Sequence, residues 1–302
     1  MMQETHKNSV YFVCGHAANE SLLGVVSYLH EADEAGAEFT RFYMIKNGEW
    51  ASQLEFNHEI KGVSFDPEIP AWRLLSKRGT VIEISGSGEH FEEITDAGTG
   101  PDKLGHLNCI RRIEGTFYAC GYRRQVYVYS EGTWKHSDSE ILLGKESIGY
   151  GFSAISGASP STLLAVGRKG EVFQGDGRQW RQIDSGTSAN LTDCCWHDSN
   201  TAYACGKNGT VLRITENASE LLVDPEFTES LWSICSFEGR ILAAHSKGIV
   251  EITDDGFVPV EIPAETAGQL VTHGSRLWSI GTYDVLSYDG EAWTQLPCAD
   301  NE

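Results

Sequence analysis

The sequence predicts an all-β fold, a seven-bladed β-propeller with four antiparallel strands per blade. Three observations support this fold class: one strand–turn–strand motif recurs, its copies lie about 40 residues apart, and a tryptophan follows three of them at a fixed distance. A unit of this length with four short strands is typical of a propeller blade. Because such a unit cannot bury both faces alone, we expect the copies to stack around an axis.

The recurring motif is an apolar strand, a tight turn rich in glycine and basic residues, and a second strand that usually opens on valine. Two clear copies are "YACGYRRQVYVY" from Tyr118 and "YACGKNGTVLRI" from Tyr203. Six second strands open at Val81, Val126, Val172, Val211, Val250 and Val285, and a tryptophan stands eight residues after three of these (Trp134, Trp180 and Trp293). Counting back eight residues from Trp50 places the opening of a seventh second strand at Phe42. Seven copies favour one closed ring. We expect a single domain spanning 1–302, with blades at about 9–56, 60–96, 107–138, 151–184, 191–223, 231–262 and 268–298.

The first blade is the irregular one. We label the strands of a blade a, b, c and d from the axis outward. In the arrangement that we favour, "VYFVCG" from Val10 is strand a and "LLGVVSYL" from Leu22 is strand b, so that no inner strand is missing. In the alternative, "VYFVCG" is strand b and Ser21–Glu38 is an acidic insertion in the b–c turn.

The eight cysteines contain no CxxC pair and do not predict a disulfide framework. The cysteine of the repeated "YACG" motif is not constant between copies, because the same position holds Cys120, Val166, Cys205, Ala244 and Ile280. This position therefore requires a small or medium apolar side chain. We expect the cysteines to be reduced core residues.

The motifs resemble those of a known family. An "AVG"-like strand, a G-x-V turn and a D-G-x-x-W end, as at Asp176–Trp180 and Asp289–Trp293, are similar to the BNR/Asp-box repeats of sialidase-like propellers. Between Phe42 and Pro297 the chain looks closest to photosystem II stability/assembly factor-like propellers. That resemblance implies a seven-bladed, non-enzymatic protein. A complete Asp-box also has a serine or threonine two residues before the aspartate, and here the serine falls elsewhere.

Catalytic and metal-binding patterns are absent from the sequence. A sialidase needs three arginines around a carboxylate, and the predicted inner strands carry arginine only at Arg111 and Arg112. No GxSxG, HxH, HExxH, Walker or EF-hand pattern occurs. We expect no enzyme, no catalytic residue, no bound metal and no cofactor.

The charge balance and the hydropathy limit the partners. The formal net charge is −20, which disfavours direct binding of nucleic acid and attracts basic proteins. No window approaches 18 consecutive apolar residues, and the first residues lack the pattern of a secretory signal. We expect a cytoplasmic protein that does not contact a membrane.

Propeller topology assigns charges to faces, because b–c turns and d–a connections share one face. The candidate partner-binding residues of that face are the turn residues Lys77, Arg78, Tyr122, Arg123, Arg124, Arg168 and Lys169, and the connection residues Asp102, Glu140, Glu146, Asp224, Glu226 and Glu229. Lysine and arginine are also common in exposed hairpin turns with no binding role. The connection from blade 3 to blade 4 carries an apolar "ILLG" from Ile141 that we expect to be an exposed patch for a partner. The opposite face is expected to be mostly acidic.

These observations predict a non-catalytic, protein-binding propeller, monomeric apart from its partner. The specific hypothesis is an inhibitor or immunity-type protein that neutralises a partner with a basic surface, such as a nuclease toxin. One alternative is an assembly factor or scaffold that uses the basic turns to hold an acidic segment of a client subunit. Another is a degenerate sialidase-like glycan-binding propeller.

Overall fold

Each sequence repeat folds into its own four-stranded antiparallel sheet, because the turns within a repeat are too short to reach another sheet. The structure is a computed structural model, and it describes residues 9–95, 100–138, 140–144, 146–147 and 149–301. Asp96, at the end of predicted blade 2, and Ser139, Lys145 and Ile148 of the connection from blade 3 to blade 4 lie outside the described residues. The predicted fold class, a seven-bladed β-propeller, is confirmed.

The 28 strands of the described residues follow one another blade by blade. Blades 1 to 3 comprise β1 (Val10–Asn19), β2 (Leu22–Leu29), β3 (Thr40–Lys46), β4 (Glu49–Phe56); β5 (Ile60–Asp66), β6 (Ala71–Ser76), β7 (Thr80–Ser85), β8 (Gly88–Glu93); β9 (Leu107–Ile113), β10 (Thr116–Gly121), β11 (Val126–Ser130), β12 (Thr133–His136). Blades 4 and 5 comprise β13 (Phe152–Ser159), β14 (Thr162–Gly167), β15 (Val172–Gly175), β16 (Trp180–Ile183); β17 (Leu191–Trp196), β18 (Ala202–Gly206), β19 (Val211–Ile214), β20 (Ser219–Leu222). Blades 6 and 7 comprise β21 (Leu231–Phe237), β22 (Arg240–His245), β23 (Gly248–Thr253), β24 (Gly256–Val260); β25 (Gln269–His273), β26 (Arg276–Ile280), β27 (Val285–Tyr288), β28 (Trp293–Gln295).

Helix is confined to short connections in the described part of the chain. The segments are α1 (His30–Glu34), α2 (Pro101–Leu104) and the 3-10 turns Arg168–Gly170 and Ala299–Asn301. Among these residues no helix has the length and apolar character needed to span a membrane.

The hydrophobic core is divided among the gaps between blades. The described residues form seven buried clusters, and each lies between two consecutive blades. In β18, for example, Ala204 packs against blade 4 and Cys205 against blade 6, because successive side chains of a strand point to opposite faces. The position predicted to require an apolar side chain is fully or almost fully buried in all five copies, Cys120, Val166, Cys205, Ala244 and Ile280. All eight cysteines are free.

The favoured arrangement of blade 1 is confirmed. Strand β1 is the inner strand and pairs with β2, which pairs in turn with β3. The alternative, with Ser21–Glu38 as an insertion, is wrong because Leu22–Leu29 is a regular strand of the sheet. Only the remainder, including α1, forms the b–c connection.

The ring closes between blades 7 and 1 without an exchanged strand, since every sheet uses consecutive strands. Inner strand β1 contacts inner strand β25 of blade 7 as well as β5 of blade 2. The backbone N–H of Phe12 donates to the carbonyl of Thr282 over 2.8 Å. Asp300, which follows the last strand of blade 7, forms an ion pair with Arg41 of blade 1. Arg41 Nη1 donates a hydrogen bond to Asp300 Oδ2 over 2.6 Å. The two ends of the array are therefore fastened to each other by side chains and backbone together.

Candidate partner-binding face

One face of the ring carries the b–c turns and the d–a connections, because strands b and d run toward it and strands a and c run away from it. We call it the b–c face, and the other the opposite face. At the centre of the b–c face lies a cavity of about 760 Å³, walled by the first halves of the inner strands and by parts of the b–c turns. We call this cavity the central mouth. Its volume is in the range of protein ligand sites.

A ring of bulged residues lines the central mouth. In six of the seven blades, the register of the inner strand shifts at its start, so that one extra residue is inserted. These residues are Val13, Lys61, Asn108, Ser153, Thr192 and Trp232. All six line the cavity. A β-bulge changes the direction of a side chain, and here it turns six different side chains toward the axis.

Sequence reasoning missed this ring. The available signal was a break in apolar alternation at the start of the inner strands, where an apolar residue, a variable residue, a small residue or aspartate, and another apolar residue follow one another. The copies are "IKGV", "LNCI", "FSAI", "LTDC" and "LWSI". A regular half-buried strand alternates apolar and polar residues, and these segments do not.

Several mouth side chains also tie adjacent blades together. Asn108 Nδ2 donates to the carbonyl of Phe152 over 2.7 Å, and Thr192 Oγ1 donates to the carbonyl of Leu231 over 2.7 Å. Each acceptor is the first residue of the next inner strand. The mouth is thus a rigid site, because its polar residues are held by the frame that they line.

Arg111 and Asp193 are two charged residues of the mouth wall that lie close together. The Arg111 guanidinium extends from blade 3 toward blade 5, where its Nη2 lies 3.8 Å from Asp193 Oδ1. The next residue of β1 beyond the lining is His16, and burial, aided by the nearby Arg111 charge, lowers its pKa to about 3. His16 is therefore neutral at physiological pH. A hydrogen bond between the side chains of Cys120 and Cys109 lowers the pKa of the Cys109 thiol to about 7.

Aromatic side chains surround the mouth. Trp232 is 46% exposed, which is high for a tryptophan on an inner strand. On the other side, the rings of Tyr283, His30 and Tyr11 form a path from the blade 7 turn to the mouth, with centroid separations of 6.0 and 5.0 Å. The mouth therefore offers aromatic contact area beside polar groups.

Tyr122, Arg124, Tyr150, Arg168 and Lys169 form a second feature of the b–c face, which we call the blade 3–4 cluster. The Arg168 guanidinium lies 4.2 Å from the centroid of the Tyr122 ring and donates to its hydroxyl. The Lys169 ammonium lies 4.1 Å from the Tyr150 centroid. The Arg168–Tyr122 contact brings together two b–c turns that are 46 residues apart in sequence, and the Lys169–Tyr150 contact joins the blade 4 turn to the preceding connection.

Arg124 is the structural member of this cluster. Its Nε donates to Oε1 of the buried Glu171 over 2.7 Å, and its guanidinium lies 4.7 Å from the Phe173 centroid. Glu171 also accepts the backbone N–H of Gly151 over 3.2 Å. Arg124 therefore joins blades 3 and 4. Arg123 is more loosely held, because among the described residues its side chain donates to a single acceptor, the carbonyl of Lys103, over 3.0 Å.

The other basic turn residues are paired with acids of the same face. Arg78 makes a bidentate pair with Glu38, with donor–acceptor distances from 2.6 to 3.2 Å. Lys77 bridges Glu38 and Glu59. In blade 6, Lys247 binds Glu229 over 2.5 Å. The predicted basic residues thus form mixed pairs at these blades and concentrate only at blades 3 and 4.

The predicted acidic residues divide into exposed and structural groups. Asp102, Glu140, Glu146 and Glu226 are exposed. Asp224 instead accepts the backbone N–H groups of Glu226 and Phe257, both over 2.9 Å. These hydrogen bonds lower the pKa of Asp224, and the one from Phe257 has the largest effect. It therefore caps the junction between the outer strands of blades 5 and 6.

The prediction of an exposed "ILLG" patch is wrong. Ile141 is buried in the cluster between blades 3 and 4, and Leu142 and Leu143 are half-buried. The backbone N–H of Leu143 donates to the carbonyl of Arg123 over 2.9 Å. The apolar side chains fill the gap beneath the blade 3 turn, because burial there removes them from water.

On the opposite face, several carboxylates stabilise their own turns. Asp176, Asp198 and Asp289 each accept two backbone N–H groups through Oδ1, and these bonds lower the pKa of all three carboxyls. Side chains of this type favour hairpin turns. The presence of these three aspartates on the opposite face is therefore explained by their role in the turns.

No family model matches this chain. The immune protein Tsi7 of Pseudomonas aeruginosa is 31% identical over 228 residues, which cover 74% of each chain. Similar solved structures are the WD40 propeller domain of Doa1 (TM-score 0.68, 10% identity, 93% of each chain) and YCF48 bound to D1 peptide (TM-score 0.67, 11% identity, 96% of this chain and 94% of that one). A puromycin-hydrolysing peptidase of Mycobacterium tuberculosis has a TM-score of 0.65 and 13% identity, over 96% of this chain and 53% of that one. At such identities, the likeness to solved structures shows the fold alone. The fold resembles the photosystem II assembly factor YCF48, as predicted, whereas the finer Asp-box assignment stays a prediction.

Proposed function

Because this chain belongs to the family of the immune protein Tsi7, we propose that it is an immunity-type protein that binds a toxin partner and neutralises it without catalysis. The observation that carries the proposal is the 31% identity over 74% of both chains. The proposal includes action in the cytoplasm, no cofactor, and a monomeric state apart from the partner.

We assign partner binding to the b–c face. Support comes from the central mouth and the blade 3–4 cluster, which present tryptophan, tyrosine and arginine, the residue types enriched at protein interfaces. On the opposite face, by contrast, Asp176, Asp198 and Asp289 are engaged in their own turns. The predicted residues Tyr122, Arg123, Arg168 and Lys169 remain the partner-binding candidates of the rim.

The net charge of −20 supports a partner with a basic surface, such as the nucleic-acid-binding surface of a nuclease toxin. Opposite net charges speed diffusional encounter. Since salt screens this attraction, the association rate should fall as ionic strength rises.

An assembly-factor function is the second candidate, favoured by the cations gathered at blades 3 and 4, which suit an acidic client segment. In that case, replacing Arg123, Arg168 and Lys169 by glutamate, with the structural Arg124 left in place, should abolish binding. For the immunity-type function, the same replacement should only weaken it.

The test is affinity purification of the tagged chain from its native cell, followed by mass spectrometry and by co-expression with the recovered partner. We expect one protein at a 1:1 ratio whose expression alone arrests growth, and growth restored by this chain. Failure to recover any stoichiometric protein, or recovery of one that is harmless alone, contradicts the immunity-type function.

A further inference from the structure

Two adjacent arginines of β9 have opposite surroundings. Arg112 points away from the mouth and is neutralised, with 2.7 Å from Nη2 to Glu68 Oε1 and 3.4 Å from Nε to Asp66 Oδ1. Arg111 lines the central mouth, and its nearest carboxylate oxygen is Asp193 Oδ1 at 3.8 Å. That separation exceeds a hydrogen bond, so Arg111 has charge compensation but no bonded acceptor among the described residues.

Asp193 is already committed to other donors. Its Oδ2 accepts the Ser233 hydroxyl over 2.7 Å and the Ile234 backbone N–H over 3.1 Å, and its Oδ1 accepts the Cys194 N–H over 2.9 Å. These bonds hold the carboxylate in place between blades 5 and 6. The N–H donors of Arg111 consequently remain open to the cavity. A planar guanidinium with open donors fits a carboxylate, which it can bind through two parallel bonds.

The other mouth residues indicate which kind of partner side chain enters the mouth together with this carboxylate. Trp232 is the large apolar surface of the mouth, and its bulged position directs it toward the cavity. The second mouth cation, Lys61, is already paired with Glu59 over 2.5 Å. Arg111 is therefore the anion-binding group, and Trp232 is an exposed apolar contact in the same cavity. Arginine and tryptophan are also the residues that most often dominate protein-binding energies.

We propose that the central mouth receives a segment of the bound protein, with an aspartate, glutamate or C-terminal carboxylate on Arg111 and an apolar side chain on Trp232. This inference rests on the proposed function and names its recognition site. The two charge effects act at different ranges. The net charge of −20 attracts a basic partner from a distance, whereas Arg111 acts on one carboxylate inside the mouth.

The test uses the purified 1:1 partner and the full chain carrying a photoreactive benzoylphenylalanine in place of Trp232. A second sample carries the same group in place of Ile69, which is exposed in the a–b turn of the opposite face. We expect cross-links from position 232 and none from position 69. Mass spectrometry should place the cross-link within a few residues of a carboxylate on the partner.

The matched variants are Arg111→Gln and Arg112→Gln. Arg111→Gln should weaken partner binding by about 30-fold or more, the effect of removing one member of a buried charged pair, while Arg112→Gln changes it less than about threefold. Trp232→Ala provides a second measurement of partner binding through the mouth, because a half-exposed side chain can be removed without unfolding the ring. Unfolding midpoints of all variants are measured alongside.

Cross-links only from position 69, a cross-linked segment without a carboxylate, or equal effects of the two arginine variants overturn the inference while leaving the proposed function intact. A chain that recovers no stoichiometric partner contradicts the proposed function itself, and the inference falls with it.

Discussion

The b–c turns of blades 3 and 5 have the same backbone shape but different residues at the strained positions. In blade 5, Lys207–Thr210 places Asn208 and Gly209 at φ of 57° and 65°. In blade 3, Tyr122–Gln125 places Arg123 and Arg124 at φ of 57° and 63°. Both turns close with a hydrogen bond from their fourth residue to their first, of 3.2 and 3.1 Å respectively. Asparagine followed by glycine is the usual sequence for such a turn, and two arginines are not.

The two turns differ in what the side chains at the strained positions contact. A left-handed conformation costs a non-glycine residue about 1 to 2 kcal/mol. Arg124 offsets this cost through the buried Glu171 and the Phe173 ring. Among the described residues the Arg123 side chain bonds a single acceptor, the carbonyl of Lys103, so its side-chain contacts do not offset the strain as those of Arg124 do. Strain of this kind is concentrated at functional sites, which supports a binding role for Arg123.

The largest expected effect tests whether Arg124 of the blade 3 turn stabilises the fold. Glu171→Gln removes the charge partner of the largely buried Arg124 and should lower the free energy of unfolding by about 3 kcal/mol. The measurement is urea denaturation. Glu220→Gln, which removes an exposed partner of Arg213, is the control and should cost less than about 0.5 kcal/mol. Equal losses from the two variants contradict the structural role of Arg124.

A second effect concerns binding. Replacing Arg168 and Lys169 together by glutamate should weaken partner binding about threefold to tenfold by raising the dissociation rate, because contacts of the blade 3–4 cluster with the partner are lost, whereas the added negative charge does not slow association with a basic partner. The matched control is Lys207→Glu in the blade 5 turn, which should leave affinity within about twofold. Surface plasmon resonance separates the two rates. Complete loss of binding instead favours the assembly-factor function.

Exchanging the strained residues should give effects of opposite sign. Arg123→Asn relieves the left-handed residue and should raise the free energy of unfolding by about 0.5 to 1 kcal/mol, while Asn208→Arg should lower it by a similar amount. Thermal denaturation measures both. If the two substitutions shift stability in the same direction, the turns do not differ in strain.

The smallest effect extends the comparison to blade 6, where His245 ends the strand before the turn. Burial lowers the pKa of His245, so the unfolded chain binds a proton more readily than the folded one. Stability should therefore fall as pH decreases through about 6.5, by less than about 1 kcal/mol for this residue. His245→Gln should remove that part of the pH dependence in denaturation curves between pH 7.5 and 5.5. An unchanged dependence shows that His245 titrates normally.

The repeat predicts much of the fold because alternation and turn residues act locally. The choice of Val10 as the start of an inner strand is confirmed, because β1 begins there. The site is less predictable because it depends on contacts between blades. Lys77 meets Glu38, and Arg168 meets Tyr122, only when neighbouring blades pack together. From the sequence alone, Ile141 is expected to be an exposed contact for a partner. The gap beneath the blade 3 turn, in which Ile141 is buried, is formed by two blades together.

The shared clusters between blades have a consequence for synthesis. Blade 1 is made first, but one of its apolar faces packs against residues of blade 7, among them Val271, Trp278 and Val285. At 5 to 20 residues per second, roughly 15 to 60 s separate translation of the first and last strands. During that time this face of blade 1 has no partner within its own chain. Ring closure at Asp300 thus also covers the apolar face of blade 1 that a nascent chain leaves exposed to aggregation.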